Sequence, residues 1–275
     1  MRQISSKFIE DLKDEYLSYF LNQVKTNHHN LCLEIRSGYI NIYYRGGNLL
    51  RIKKKRNGYE FHFDSKYCSN KKDTSNYNHF CSLNSNSAQD YIENFNLMMA
   101  EMDSWLEEHP KAEREFQHKL LVNNPSIIDI EYVPPKSKTK RMRLDMLMIH
   151  GDKLIIVENK FGTKSISGKA GLKEHYKDMC ALLNDSQLID VLLKSVENIA
   201  KTKYELGLLQ SPIPKIDESK IEILFLLADY NEKSKTLNKE LNSIENITHP
   251  IKLLKMSSSN YNIDMSKAQY VEKNN

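Results

Sequence analysis

Two apolar runs, Met142 to His150 and Lys153 to Lys160, flank the dipeptide Gly151-Asp152, and both carry charge where a covered strand ordinarily has none. A two-residue turn centred on Gly151-Asp152 predicts an antiparallel hairpin. Its register follows by counting: His150 faces Lys153, Ile149 faces Leu154, and further out Asp145 stands opposite Glu158 and Arg143 opposite Lys160. Side chains alternate faces along a strand. Asp145, Glu158 and Lys160 therefore share one face with Leu147, Ile149, Leu154 and Ile156, while Leu144, Met146, Met148, Ile155 and Val157 point the other way. Strands apolar on both faces are central strands, covered on both sides.

Two carboxylates opposed in such a place repel each other and resist ionisation unless a cation or a proton intervenes. A divalent metal resolves the conflict. Magnesium, with manganese as a substitute, takes oxygen ligands and keeps several waters, so Asp145, Glu158 and the backbone carbonyl of Asn159 make a sufficient set. Lys160, two residues beyond Glu158 on the same face, is placed to orient water or to stabilise charge developing on a phosphate. The plainer reading of these residues is a hairpin with one cross-strand ion pair at its frayed end.

Asp145, twelve intervening residues and then Glu158-Asn159-Lys160 resemble the PD-(D/E)XK nuclease superfamily, with Leu144 where the motif has proline. The segment EREFQHKLLVNNP, from Glu113 on, is similar to the form seen in Shedu-like and NucS-like nucleases. The resemblance implies a restriction-endonuclease-like αβββαβ core with a mixed sheet. It also implies a Mg2+-dependent deoxyribonuclease, an endonuclease acting in defence against phage or foreign DNA. Catalysis falls to Asp145, Glu158, Lys160 and Glu113, the last reaching the metal through water, with Gln117 in support. Glu113 and Gln117 are expected on the packed face of their helix with Phe116 and Leu120. Many relatives carry Gln-Leu-x-x-Tyr on the next helix, whereas GLKEHY offers Tyr176 without the glutamine. Lys169, Lys173 and His175 stand as equal candidates for that substrate contact.

A chain of 275 residues is long enough for two cores. The first division, 1–86, reads as an α+β domain: a helix with its stripe running from Phe8 to Val24, then four short strands joined at Ser37-Gly38, Gly46-Gly47 and Asn57-Gly58, an antiparallel meander. Residues 87–275 carry the nuclease pattern. Aromatic and basic residues of the meander (Tyr43, Tyr44, Arg45, Arg51, Tyr59) are candidates for nucleic-acid contact, although aromatic strands more often simply pack.

A net charge of +4 argues little alone; its distribution says more. Arg51 to Arg56 and Lys136 to Arg143 are acid-free basic runs, and the second leads into the Asp145 strand. Lys136, Lys138, Lys140, Arg141, Arg143, Lys169 and Lys173 are the expected nucleic-acid contacts. The partner is then DNA, with RNA open, and cutting both strands favours a homodimer or higher symmetric oligomer. A non-catalytic binding or assembly protein on a nuclease fold, or an RNase with the same site, are the alternatives. No apolar run has the length to span a bilayer, and four cysteines without framework spacing read as reduced thiols of a cytoplasmic protein.

Overall fold

Glycine turns close the N-terminal meander as a four-stranded antiparallel sheet in the order β1 (Leu31–Ile35), β2 (Tyr39–Tyr44), β3 (Gly47–Lys55), β4 (Gly58–His62). At the second turn Arg45 and Gly46 have φ of 48° and 76°, and positive values at both loop residues are what a type I′ hairpin turn requires. The computed structural model describes residues 1–14, 16–68, 87–135, 142–245 and 247–271. The fold is mixed α/β, with this sheet and a mixed six-stranded one. The chain divides into two compact units, Arg2–Val122 with Asn198–Pro212, and Met1 with Asn123–Glu197 and Ile213–Asn275.

In the first unit, alternate strand residues Leu33, Ile35, Ile40, Ile42, Leu50, Ile52 and Phe61 join Phe8, Leu12, Phe20, Phe95 and Met98 in one core. Each such side chain contributes about 1.5–3 kcal/mol by leaving water. The helical stripe expected over Phe8 to Val24 is two helices, α1 (Ser6–Lys13) and α2 (Ser18–Thr26). The break turns Tyr16 out (51% exposed) while Leu17 stays fully buried. The helices that follow residue 86, α3 (Ala88–Glu93) and α4 (Phe95–Glu108), belong to this unit. Tyr91 donates to the Phe61 carbonyl at 3.1 Å and Phe95 packs against Phe20 at 6.0 Å between ring centroids. Helix α5 (Ala112–Asn123) follows.

The six-stranded sheet has the order β10-β9-β8-β7-β6-β5. β5 (Ile127–Tyr132), β6 (Leu144–His150) and β7 (Lys153–Phe161) are antiparallel; β8 (Ile221–Ala228) runs parallel to β7, and β9 (Ile251–Met256) parallel to β8. β10 (Gln269–Tyr270) pairs antiparallel with β9 at the edge. Parallel neighbours need long crossovers, here α6 (Leu172–Leu183) and α7 (Ser186–Glu205) before β8, and α8 (Thr236–Asn242) before β9. All eight residues of β8 are buried, as its continuous apolar run demands.

Among the described residues no helix is long and apolar enough to cross a membrane. Cys68 is disulfide-bonded, whereas Cys32 and Cys180 are free. The expectation of four reduced thiols therefore fails at Cys68, and cysteine usage no longer argues for a reducing compartment.

Candidate functional site

The hairpin has the counted register. His150 pairs with Lys153, Ile149 with Leu154 and Leu147 with Ile156, ending at Met146 with Val157. Gly151 takes φ 62°, which a glycine reaches without strain. One rung further come Asp145 and Glu158. There the ladder gives way to a side chain: the Asn159 N–H donates to Asp145 Oδ2 at 3.0 Å. Glu158, Asn159 and Lys160 are 1%, 1% and 5% exposed, an acid, an amide and a base inside the sheet's core.

Glu158 Oε1 gathers two nitrogens, Lys160 Nζ at 2.8 Å and His175 Nδ1 at 3.1 Å. Helix α6 delivers His175 onto the face that carries Glu158. Burial, and then the charge of Lys160, push the imidazole down to about 4, while the Ala170 carbonyl pulls the other way. The cause is local: an imidazolium here would lose hydration and lie beside the Lys160 ammonium, which already engages the same Glu158 oxygen. At neutral pH the ring is uncharged, and its carboxylate partner assigns the proton to Nδ1.

The basic candidates disperse. Arg143 is exposed, its Nη1 3.2 Å from Glu131 Oε1, and Lys169 is exposed. Lys173 is half-buried, with its backbone N–H donating to Glu240 Oε1 at 3.3 Å. Lys136, Lys138, Lys140 and Arg141 lie outside the described residues. Glu113 and Gln117 belong to the other compact unit. The expectation that Glu113 sits on its helix's packed face is overturned. That face is Phe116, His118, Leu120 and Leu121, Glu113 is exposed, and Glu115 is the acid that finds a base, 3.5 Å from Arg45.

Of the three candidates Lys169, Lys173 and His175, His175 is the one whose side chain touches Glu158. Two acids of β5 escaped the sequence reading. Asp129 is fully buried opposite Leu147. Glu131 lies between the rungs Ile130–Met146 and Tyr132–Leu144, which places it opposite Asp145. Its φ of 51° is uncommon for a residue with a Cβ and collects at functional sites. The signal was present in IIDIEY, where acids alternate with apolar residues.

The donor set suits a hard divalent cation. Two carboxylates are carried at facing positions at one end of the strand pair, and Asn159 Oδ1 is buried with no hydrogen-bond partner among the described residues. Among those residues no three His, Cys, Asp or Glu side chains are grouped to hold a metal. An ion here would draw most of its coordination from water, as magnesium does. Compared with family models, with curated proteins and with solved structures, the chain matches none.

Proposed function

We propose that this chain is a metal-dependent nuclease hydrolysing phosphodiester bonds in DNA, built on a restriction-endonuclease-like core. The observation that carries the reading is the buried Glu158–Lys160 pair, touched by His175 and standing opposite Asp145 on the neighbouring strand. A buried acid facing a second, half-buried acid is costly to fold around, and such groups concentrate where chemistry needs them. The element order supports it too: helix, three antiparallel strands, helices, then a parallel strand.

Asp145 and Glu158 would hold Mg2+, or Mn2+ in its place, with the Asn159 carbonyl. When bound, the ion supplies Lewis-acid stabilisation of charge building on the phosphate. Lys160, fixed by Glu158, presents its ammonium to the same charge and steers the attacking water. His175 donates to Glu158 and holds that carboxylate in one orientation without adding charge. Arg143 and Lys169, both exposed, offer phosphate contacts at the rim. Asp145, Glu158, Asn159, Lys160 and His175 all lie in one compact unit, and Glu113 and Gln117 in the other. Foreign DNA in the cytoplasm is the substrate this reading favours, with two copies of the chain joining to cut both strands.

The test is cleavage of plasmid and linear DNA, and of RNA, with Mg2+, Mn2+ or EDTA, comparing wild type with Asp145→Asn and Lys160→Ala. Metal-dependent cutting of DNA, lost in both variants, is expected. Cutting of RNA alone would make the chain an RNase. Intact substrates throughout, together with no Mg2+ binding by calorimetry, would end the hydrolytic reading.

A further inference from the structure

The four-stranded sheet spends one face on its core, and the other is polar across its full width. Register places Glu34 opposite Asn41, Asn41 opposite Arg51 and Arg51 opposite His62, one rung crossing all four strands. The next rung holds Tyr39, Lys53 and Glu60. Towards β1 this face is closed: Glu34 is fully buried, and Lys203 from the end of α7 donates to it at 2.8 Å.

Towards β3 and β4 it is open. Arg51 and Lys53 are exposed, and neither lies within ion-pair distance of a carboxylate among the described residues. The Arg51 guanidinium rests over the Tyr39 ring, 5.2 Å from its centroid. Beneath them two buried atoms, Asn41 Oδ1 and His62 Nδ1, have no hydrogen-bond partner among the described residues. Buried polar groups are ordinarily satisfied; these two flank Arg51 on its own rung.

We propose that this face is a nucleic-acid-binding surface of its own, and that it takes a single strand. The charge selects a polyanion: Arg51, Lys53, Lys55 and Arg56 stand here with Glu60, whose carboxylate Lys55 already engages. The aromatic ring selects unpaired bases, since a base inside a duplex has no free face to stack. Arg51 moves from the Tyr39 ring to a phosphate, a base takes its place on the ring, and Lys53 meets the next phosphate. None of these residues belongs to the hydrolytic site. Tyr43 and Tyr59, candidates by composition, are buried, and Tyr44 and Arg45 are bound to Asp103, so none of the four is offered to the strand.

The test uses the full chain carrying Asp145→Ala, in EDTA, with a fluorescently labelled single-stranded DNA followed by polarisation across a salt series, and the matching duplex beside it. The single strand is expected to bind the tighter. Arg51→Gln and Lys53→Gln should each lower the slope of log K against log salt by about 0.7. Tyr39→Ala should weaken binding roughly fivefold or more, and Tyr39→Phe should restore it. Lys53 is exposed, so its variant reads the surface without risk to folding. Unchanged affinity and slope in Arg51→Gln and Lys53→Gln would overturn the proposal, as would a duplex that binds tighter and ignores Tyr39→Ala. Because cleavage is disabled in this chain, failure here leaves the nuclease reading standing, and failure of cleavage leaves these binding constants standing.

Discussion

Each unit buries a glutamate against two basic side chains, and the two groups differ in what surrounds them. In the first, Glu34 is met by Lys203 at 2.8 Å and Arg36 at 3.9 Å, and Arg36 is further tied to the Ile35 carbonyl and the Tyr43 hydroxyl. Both partners are themselves buried, and the group is closed over by the protein. In the second, Glu158 meets Lys160 and a neutral imidazole, with Asp145 opposite it on the next strand. Among these four side chains carboxylates outnumber cations. A buried acid is therefore no sign of chemistry by itself; what sets Glu158 apart is a second carboxylate facing it across the strand pair.

The largest effect should come from breaking the closed group. Lys203→Met takes from buried Glu34 the nearer of its two basic neighbours, and stripping one partner from a buried pair costs about 3–5 kcal/mol. The single tryptophan, Trp105, lies in that unit, so its fluorescence during urea unfolding reads the loss directly. A change under about 1 kcal/mol would mean the pair is solvated and the contrast false. Asp145→Asn should do the opposite in the other unit. It relieves repulsion, so stability is expected to hold or rise, while cleavage falls about 100- to 1,000-fold, the usual toll of removing a group that stabilises transition-state charge. Destabilisation as large as that of Lys203→Met would instead make Asp145 a structural residue.

That contrast was only half legible in the sequence. The hairpin register could be counted because a glycine turn and period-two alternation fix it, and a slip of one residue would move every side chain to the wrong face. Glu34 and Lys203 are 169 positions apart, and nothing local announces their pairing. His175 was one of three candidates because its role depends on how α6 is laid on the sheet, a packing fact that helical spacing does not contain. Glu113 misled for the same reason. Spacing placed it beside Phe116, yet α5 buries His118 and Leu121 and turns Glu113 to solvent.

A third buried acid sharpens the comparison with a smaller effect. Glu222 on β8 is 6% exposed and is held by Lys153 and by Lys252 at 2.9 Å. Burial pushes its carboxyl up, but the hydrogen bonds from the two lysines outweigh burial and set its pKa below the usual 4.5. A depressed carboxylate stabilises the fold above its unfolded value, and that contribution is lost as pH falls through the folded one. Wild type should exceed Glu222→Gln by about 1–2 kcal/mol at neutral pH, with the gap closing once pH drops well below 4.5. A gap independent of pH would place Glu222 with uncharged packing residues. Glu222 is then a closed group like Glu34, inside the same sheet as Glu158.

The smallest effect tests what holds the acidic rung in register. Gly151 has φ 62° and a Cβ there would meet nothing within 4 Å, whereas one on Gly46, at φ 76°, would come within 2.5 Å of the Arg114 backbone oxygen. Gly151→Ala therefore costs only the left-handed backbone, about 1 kcal/mol, and Gly46→Ala costs a clash besides. If the apolar faces of β6 and β7 set the register, Gly151→Ala should leave Asp145 one rung past Met146–Val157, and cleavage should stay within about twofold of wild type for so small a loss of stability. Cleavage abolished at that small cost would show that the turn, and not the strands, aligns the two carboxylates, and the acidic group would then be a feature of the loop's geometry more than of the sheet's.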